Sequence, residues 1–251
     1  MHTCIKDMQT QIVMIIMTSI QVPLRHPTTV LSAGPTGCGK TQFLLRLIAE
    51  GGIQPPPQRI VCVYGEWQPA YDELRKIAAK LGANIQFVHN PDSEAMAQLY
   101  ESFNTHTRNL LIIDDQMANS QIKSDQGSSI TKLFAQGSHH RNLTIIYIVQ
   151  NIFNQSKEMR NVNLNSHYLV LFKNPRDKTQ ARTLGQQMYP SNPGFLLTAY
   201  EDAVKQRYGY LLVDLHPSSD DRLRVRSGIF DKATTVYQPV TPIKTTNHFR
   251  Q

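Results

Sequence analysis

Residues 34–41 read Gly-Pro-Thr-Gly-Cys-Gly-Lys-Thr, and this run constrains the fold more than any other stretch of the chain. Its glycines free the backbone from Cβ clashes, so successive N–H groups can turn inward on one anion. The spacing Gly-x-x-x-x-Gly-Lys-Thr adds a lysine that reaches β- and γ-phosphates and a hydroxyl that takes Mg2+. Such a cradle has to lie between a buried strand and a helix, because the helix N-terminus brings its positive dipole end to the anion. The flanks read that way. Thr28-Thr29-Val30-Leu31-Ser32-Ala33 is an apolar strand, and residues 42–50 carry helical spacing. Gly34, Pro35, Thr36, Gly37, Cys38, Gly39, Lys40 and Thr41 are therefore expected to hold ATP, with Lys40 also acting on the reacting phosphate and Thr41 on Mg2+.

The chemistry next requires a carboxylate at the end of another buried strand. Leu110-Leu111-Ile112-Ile113-Asp114-Asp115 supplies it. Asp114 is expected to hold Mg2+, and Asp115 to polarise the attacking water. A carboxylate beside the metal ligand suits hydrolysis better than transfer to a small acceptor. Glu66, in Tyr64-Gly65-Glu66-Trp67, also follows a buried strand. It is a rival or helper to Asp115, or only a helix-initiating residue. Gln150 ends the apolar strand 143–149, at the edge where parallel strands gather ligands, so its amide can bond a γ-phosphate or a water. Arg141 precedes that strand and lies near its opposite end, away from its own nucleotide. It is either a surface arginine or a finger that reaches a neighbour's site in a ring.

The rest of the chain alternates. Strands are expected at 59–64, 85–89, 110–113, 143–149, 167–172, 208–215 and 223–229, and helices at 69–80, 93–103, 130–136, 178–188 and 195–204. Apolar strands separated by helices give an α/β fold with a mostly parallel central sheet and helices on both faces. Residues 1–24 are an extension without assignment, whose apolar segment 11–22 is a leading strand or helix or an extension unrelated to the fold; 25–231 form the P-loop domain, and the Thr-, Pro- and Gln-rich tail 232–251 is expected to fray. The net charge of +7 is uneven: residues 1–125 hold 10 Lys and Arg against 11 Asp and Glu, residues 126–251 hold 16 against 8. A basic second half points to a polyanionic partner, most simply nucleic acid, although a generally basic enzyme gives the same count. Cys4, Cys38 and Cys62 lack metal-ligand spacing, which favours a reducing, intracellular location. No apolar run reaches transmembrane length, so no membrane partner is expected.

The motifs together resemble the FtsK–HerA superfamily of ring-forming P-loop ATPases, and within it the genome-packaging ATPases of polinton and adintovirus type and of other large double-stranded DNA viruses. The matching residues are 34–41, 111–115, Gly137-Ser138-His139-His140-Arg141-Asn142 with the strand to Gln150-Asn151, and Leu164-Asn165-Ser166-His167-Tyr168. Phe172-Lys173-Asn174-Pro175-Arg176-Asp177-Lys178 and Tyr208-Gly209-Tyr210-Leu211-Leu212-Val213-Asp214 complete the set. The resemblance implies a RecA-like core with an extra strand between the strand of the phosphate loop and that of Asp114. It implies a homo-oligomeric ring, double-stranded DNA as partner, and pumping of that DNA into a capsid or portal vertex. It places the trans-acting arginine at Arg141 and the strand-end sensor at Gln150. The residue after the metal ligand is often Glu in the superfamily, and here it is Asp115.

Two elements are expected to meet DNA. Lys123 sits in the polar loop 119–129 just after Asp115. Arg222, Arg224 and Arg226 would share one face if 222–226 were a strand, as a stripe tracking phosphates or as a charge-guarded sheet edge. The reading that follows is an ATP-hydrolysing duplex-DNA translocase acting in genome packaging. A helicase or conjugation-type pump, a small-molecule P-loop kinase and a nucleotide-binding protein without turnover share parts of the pattern.

Overall fold

The structure, a computed structural model, describes residues 2–7, 12–17, 22–114, 130–152 and 157–240. Its strands are β1 (His2–Asp7), β2 (Ile12–Met17), β3 (Leu24–Arg25), β4 (Thr29–Ala33), β5 (Ile53–Gln54), β6 (Arg59–Tyr64), β7 (Asn84–His89), β8 (Asn109–Asp114), β9 (Leu143–Val149), β10 (Tyr168–Phe172), β11 (Tyr210–Asp214), β12 (Val225–Ser227) and β13 (Thr234–Pro239). Its longer helices are α1 (Lys40–Ala49), α2 (Pro69–Leu81), α3 (Ser93–Glu101), α4 (Lys157–Leu164), α5 (Thr179–Met188) and α6 (Phe195–Ala203). A π-helical turn, Leu133–Gly137, runs into one α-helical turn, Ser138–His140, just before β9.

Among the described residues, eleven strands form one sheet in the order β1-β2-β13-β12-β11-β10-β4-β9-β8-β6-β7. From β10 to β7 every pair is parallel. From β10 back to β1 every pair is antiparallel. The parallel block reads as continuous apolar runs because both of its faces are covered. Leu31, Leu111, Ile113, Ile145 and Val149 point to the layer holding α3, α4, α5 and α6. Val30, Leu110, Ile112, Ile146 and Ile148 point to the layer of α1 and α2. This is the period-2 division a two-faced sheet demands.

Local chemistry places the helices. Pro69 occupies the first turn of α2, where its missing N–H costs nothing. The Asp92 side chain caps α3 by accepting from Ala95 N–H at 2.8 Å.

Two expectations are corrected. The chain does not fray from Lys232: β13 pairs with β12 on one side and β2 on the other, and Val236 and Tyr237 are buried. Its apolar alternation outweighs the loop-like composition. Residues 12–17 form a sheet strand, one of the options for the apolar segment 11–22. Residues 222–226 are not one strand: Asp221–Leu223 is a 3-10 turn and only Val225–Ser227 joins the sheet.

Candidate nucleotide site

The phosphate loop stands where β4 runs into α1. Gly37 (φ 78°) and Gly39 (φ 110°) lie in the left-handed region, which other residues enter only with strain. Gly34 N–H donates to Val149 O at 3.2 Å, tying the loop to the end of β9. Lys40 folds back across the loop and donates to Gly34 O at 2.6 Å and Pro35 O at 3.0 Å. Its ammonium is thereby held by loop carbonyls that phosphate oxygens can replace. The Cys38 thiol is pushed up by burial, against the pull of the Lys40 charge, so it stays neutral at the anion site.

Asp114 ends β8 at the same edge. Registers Ser32↔Ile148 and Ile148↔Asp114 put it level with Ser32, one residue before the end of β4, across the single strand β9. Two strand spacings separate the two backbones by about 10 Å, a gap that the Lys40 and Thr41 side chains and a nucleotide can span. Asp114 is 6 % exposed. Its Oδ2 accepts from the Tyr71 hydroxyl at 2.6 Å and from Gln68 Nε2 at 3.3 Å. Burial, then the hydrogen bond and charge of Asp114, hold the Tyr71 phenol far above its ordinary range, so it remains a donor at any working pH. Asp114 Oδ1 has no hydrogen bond among the described residues. One oxygen tethered and one with no partner among the described residues, together with the Thr41 hydroxyl at the start of α1, is a donor set of the hard-oxygen kind that suits Mg2+.

The other expected residues divide. Gln150 directly follows β9 and is exposed at this edge, next to the Val149 carbonyl that holds Gly34. Its neighbour Asn151 donates to Asp177 Oδ2 at 3.3 Å. Glu66 is exposed two residues past β6, the strand beside β8. It is not the cap of α2, since that position belongs to Gln68. Asp115 and Lys123 lie outside the described residues. Arg141 is at the opposite edge of the sheet, as its place before β9 requires. It is pinned there: it pairs with the Glu101 carboxylate, donates to Phe103 O at 3.3 Å, and lies 4.9 Å over the Tyr100 ring.

The arginine stripe is not present. Arg222 pairs with Asp220 at 2.6 Å and Arg224 with Asp221 at 2.6 Å. Arg226 is 1 % exposed and meets Asp214 at 3.4 Å. Strand alternation fails here because the 3-10 turn rotates 222 and 224 away from the face of 226. Tyr71 and Gln68 are the residues that sequence reading missed, because Tyr71 lies on the buried face of α2 with Leu74, Ile77 and Ala78, where helical spacing signals packing and not a hydrogen-bond donor.

Solved structures share this fold. The genome packaging NTPase B204 from Sulfolobus turreted icosahedral virus 2, in complex with ATP-gammaS, matches with a TM-score of 0.52 at 14 % identity, over 86 % of this chain and 98 % of that one. The fold is RecA-like. The same RecA-like likeness extends to the sulfate complex of that NTPase, with a TM-score of 0.51 at 14 % identity over the same shares. B204, the DNA-packaging ATPase from Sulfolobus Turreted Icosahedral Virus, gives a TM-score of 0.50 at 11 % identity over 86 % of this chain and 99 % of that one. No protein-family model and no curated protein sequence matches the chain. In the RecA-like frame β9 is the extra strand between the phosphate-loop strand and that of Asp114, as the resemblance implied.

Proposed function

We propose that this chain is a Mg2+-dependent ATPase that translocates double-stranded DNA as a homo-oligomeric ring and packages a viral genome into its capsid. One observation carries the reading: the Lys40 cradle and the Asp114 carboxylate share one sheet edge, with β9 between them. Backbone N–H groups of 34–41 bind the phosphates, and Lys40 moves from its carbonyls to the β- and γ-oxygens. Thr41 and Asp114 would hold Mg2+, which supplies charge neutralisation on those oxygens. Asp115 or Glu66 takes the proton of the attacking water, and Gln150 orients that water. Arg141 leaves Glu101 to serve the next subunit's nucleotide. The packaging step rests on the motif resemblance and on B204, whose own descriptions name genome packaging.

The test is the steady-state ATPase rate with duplex DNA, single-stranded DNA and no DNA, at two salt concentrations. Duplex DNA raises the rate and salt suppresses the stimulation, as counterion release requires. Lys40→Ala abolishes turnover. Hydrolysis that ignores DNA leaves an ATPase without the pump, and phosphate transfer to a small acceptor replaces the reading with a kinase.

A further inference from the structure

We infer that Tyr208, carrying Arg207, is the platform on which the base of the bound nucleotide stacks. The inference rests on the nucleotide reading above and adds to it a base subsite. Tyr208 precedes β11 in the chain, yet its side chain packs on the phosphate loop. A Cβ built on Gly39 would lie 3.1 Å from Tyr208 Cβ and 3.2 Å from Cδ1. The ring therefore sits beside the residue that precedes Lys40. Tyr208 is also held in the left-handed region, at φ 61°, where a bulky residue is an outlier. Tyr208 as a whole is 49 % exposed. Arg207 lies 4.8 Å from its centroid.

The sheet decides which end of a nucleotide meets this ring. β9 and β8 flank β4 on one side, β10 and β11 on the other. Asp114 is on the β8 side, so the metal-bridged β- and γ-phosphates point there. The loop's N–H groups take the α- and β-phosphates, and the sugar and base leave on the β10–β11 side. Tyr208 stands on that side, already against the loop. An aromatic ring paired with a guanidinium offers a π-face and positive charge, and every base has a matching face. A stack of this kind reads ring area rather than hydrogen-bonding edges, so it favours purines over pyrimidines and separates ATP from GTP poorly.

The experiment is equilibrium binding with Mg2+ of ATP-gammaS, GTP, CTP and inorganic tripolyphosphate to the full chain, for wild type, Tyr208→Phe and Tyr208→Asn. Asparagine tolerates the left-handed backbone that alanine strains in, so its folding is checked by thermal melting and is expected to hold. Tyr208→Asn weakens ATP-gammaS and GTP by about 5- to 100-fold, the span of one base stack. It leaves tripolyphosphate unchanged, and Tyr208→Phe keeps wild-type affinities within about twofold. Equal loss for ATP-gammaS and tripolyphosphate, or no loss for either, removes the platform while leaving the nucleotide site in place. A wild-type chain that binds no nucleoside triphosphate brings down the nucleotide reading itself.

Discussion

Single side chains settle the chemistry at the sheet edge. The Tyr71 hydroxyl fixes Asp114 Oδ2, and Oδ1 has no hydrogen bond among the described residues. Tyr71→Phe removes only that donor, so the protein stays folded and its metal affinity falls. Groups that orient a metal ligand typically carry about 10- to 100-fold in affinity. Mn2+ binding in the presence of ATP-gammaS, followed by electron spin resonance, measures this directly, and an unchanged affinity leaves Tyr71 a packing residue. Arg226 and Asp214 show a different use of charge. The pair is buried, and Arg226 Nε and Nη1 have no partner among the described residues. Burial lowers the Arg226 pKa against the pull of Asp214. Asp214 also accepts from His216 N–H and the Ser219 hydroxyl. Asp214→Ala strands a buried cation and costs about 3–5 kcal/mol, whereas Arg226→Met costs less because the Asp214 carboxylate it leaves behind keeps its bonds from His216 N–H and the Ser219 hydroxyl. Urea denaturation of both variants checks the order.

Between elements, the lower edge of the parallel block is held by polar contacts that the apolar strands do not announce. His26 bonds the Thr144 hydroxyl at 2.7 Å through Nδ1 and Asn142 Oδ1 at 3.0 Å through Nε2, joining the entry of β4 to that of β9. Burial lowers its pKa below 6.5, the Arg108 charge adds to this, and the Asn142 bond opposes it. The imidazole therefore stays neutral in the fold at pH values where the unfolded chain is already protonated. The unfolded state binds more protons there, so stability falls as pH drops below about 6.5 and levels off beneath the folded pKa. His26→Gln flattens that part of the curve in thermal melts between pH 7 and pH 5. At the same edge the Glu101 carboxylate of α3 holds Arg141. This contact ties the turn before β9 to α3, and a finger serving a neighbour has to leave it.

At the scale of the whole molecule, the ring reading makes Arg141 the residue that one subunit lends to another. Arg141→Ala loses about a thousandfold or more in turnover while keeping ATP affinity. Mixed with Lys40→Ala, whose own site is dead, it recovers measurable turnover, because each variant supplies what the other lacks. A mixture no more active than its parts removes the trans role. Much of this was legible in the chain. Strand–loop–helix at 28–50 and the apolar runs ending at Asp114 and Val149 depend on spacing alone, since a phosphate cradle and a two-faced parallel strand each impose a local pattern. What spacing left open was every contact made across the sheet. The antiparallel wing joins 12–17 to 234–239, more than two hundred residues apart, and no local period records such a pairing. Tyr71 turning its hydroxyl to Asp114, Arg226 turning inward to Asp214 and Tyr208 resting on Gly39 are likewise meetings of distant segments. The amino-acid order determined which strand ends carry the chemistry, because that depends on neighbours along the backbone. Only the tertiary structure decided which side chains those ends meet, because burial and hydrogen bonding are settled between segments that the sequence keeps apart.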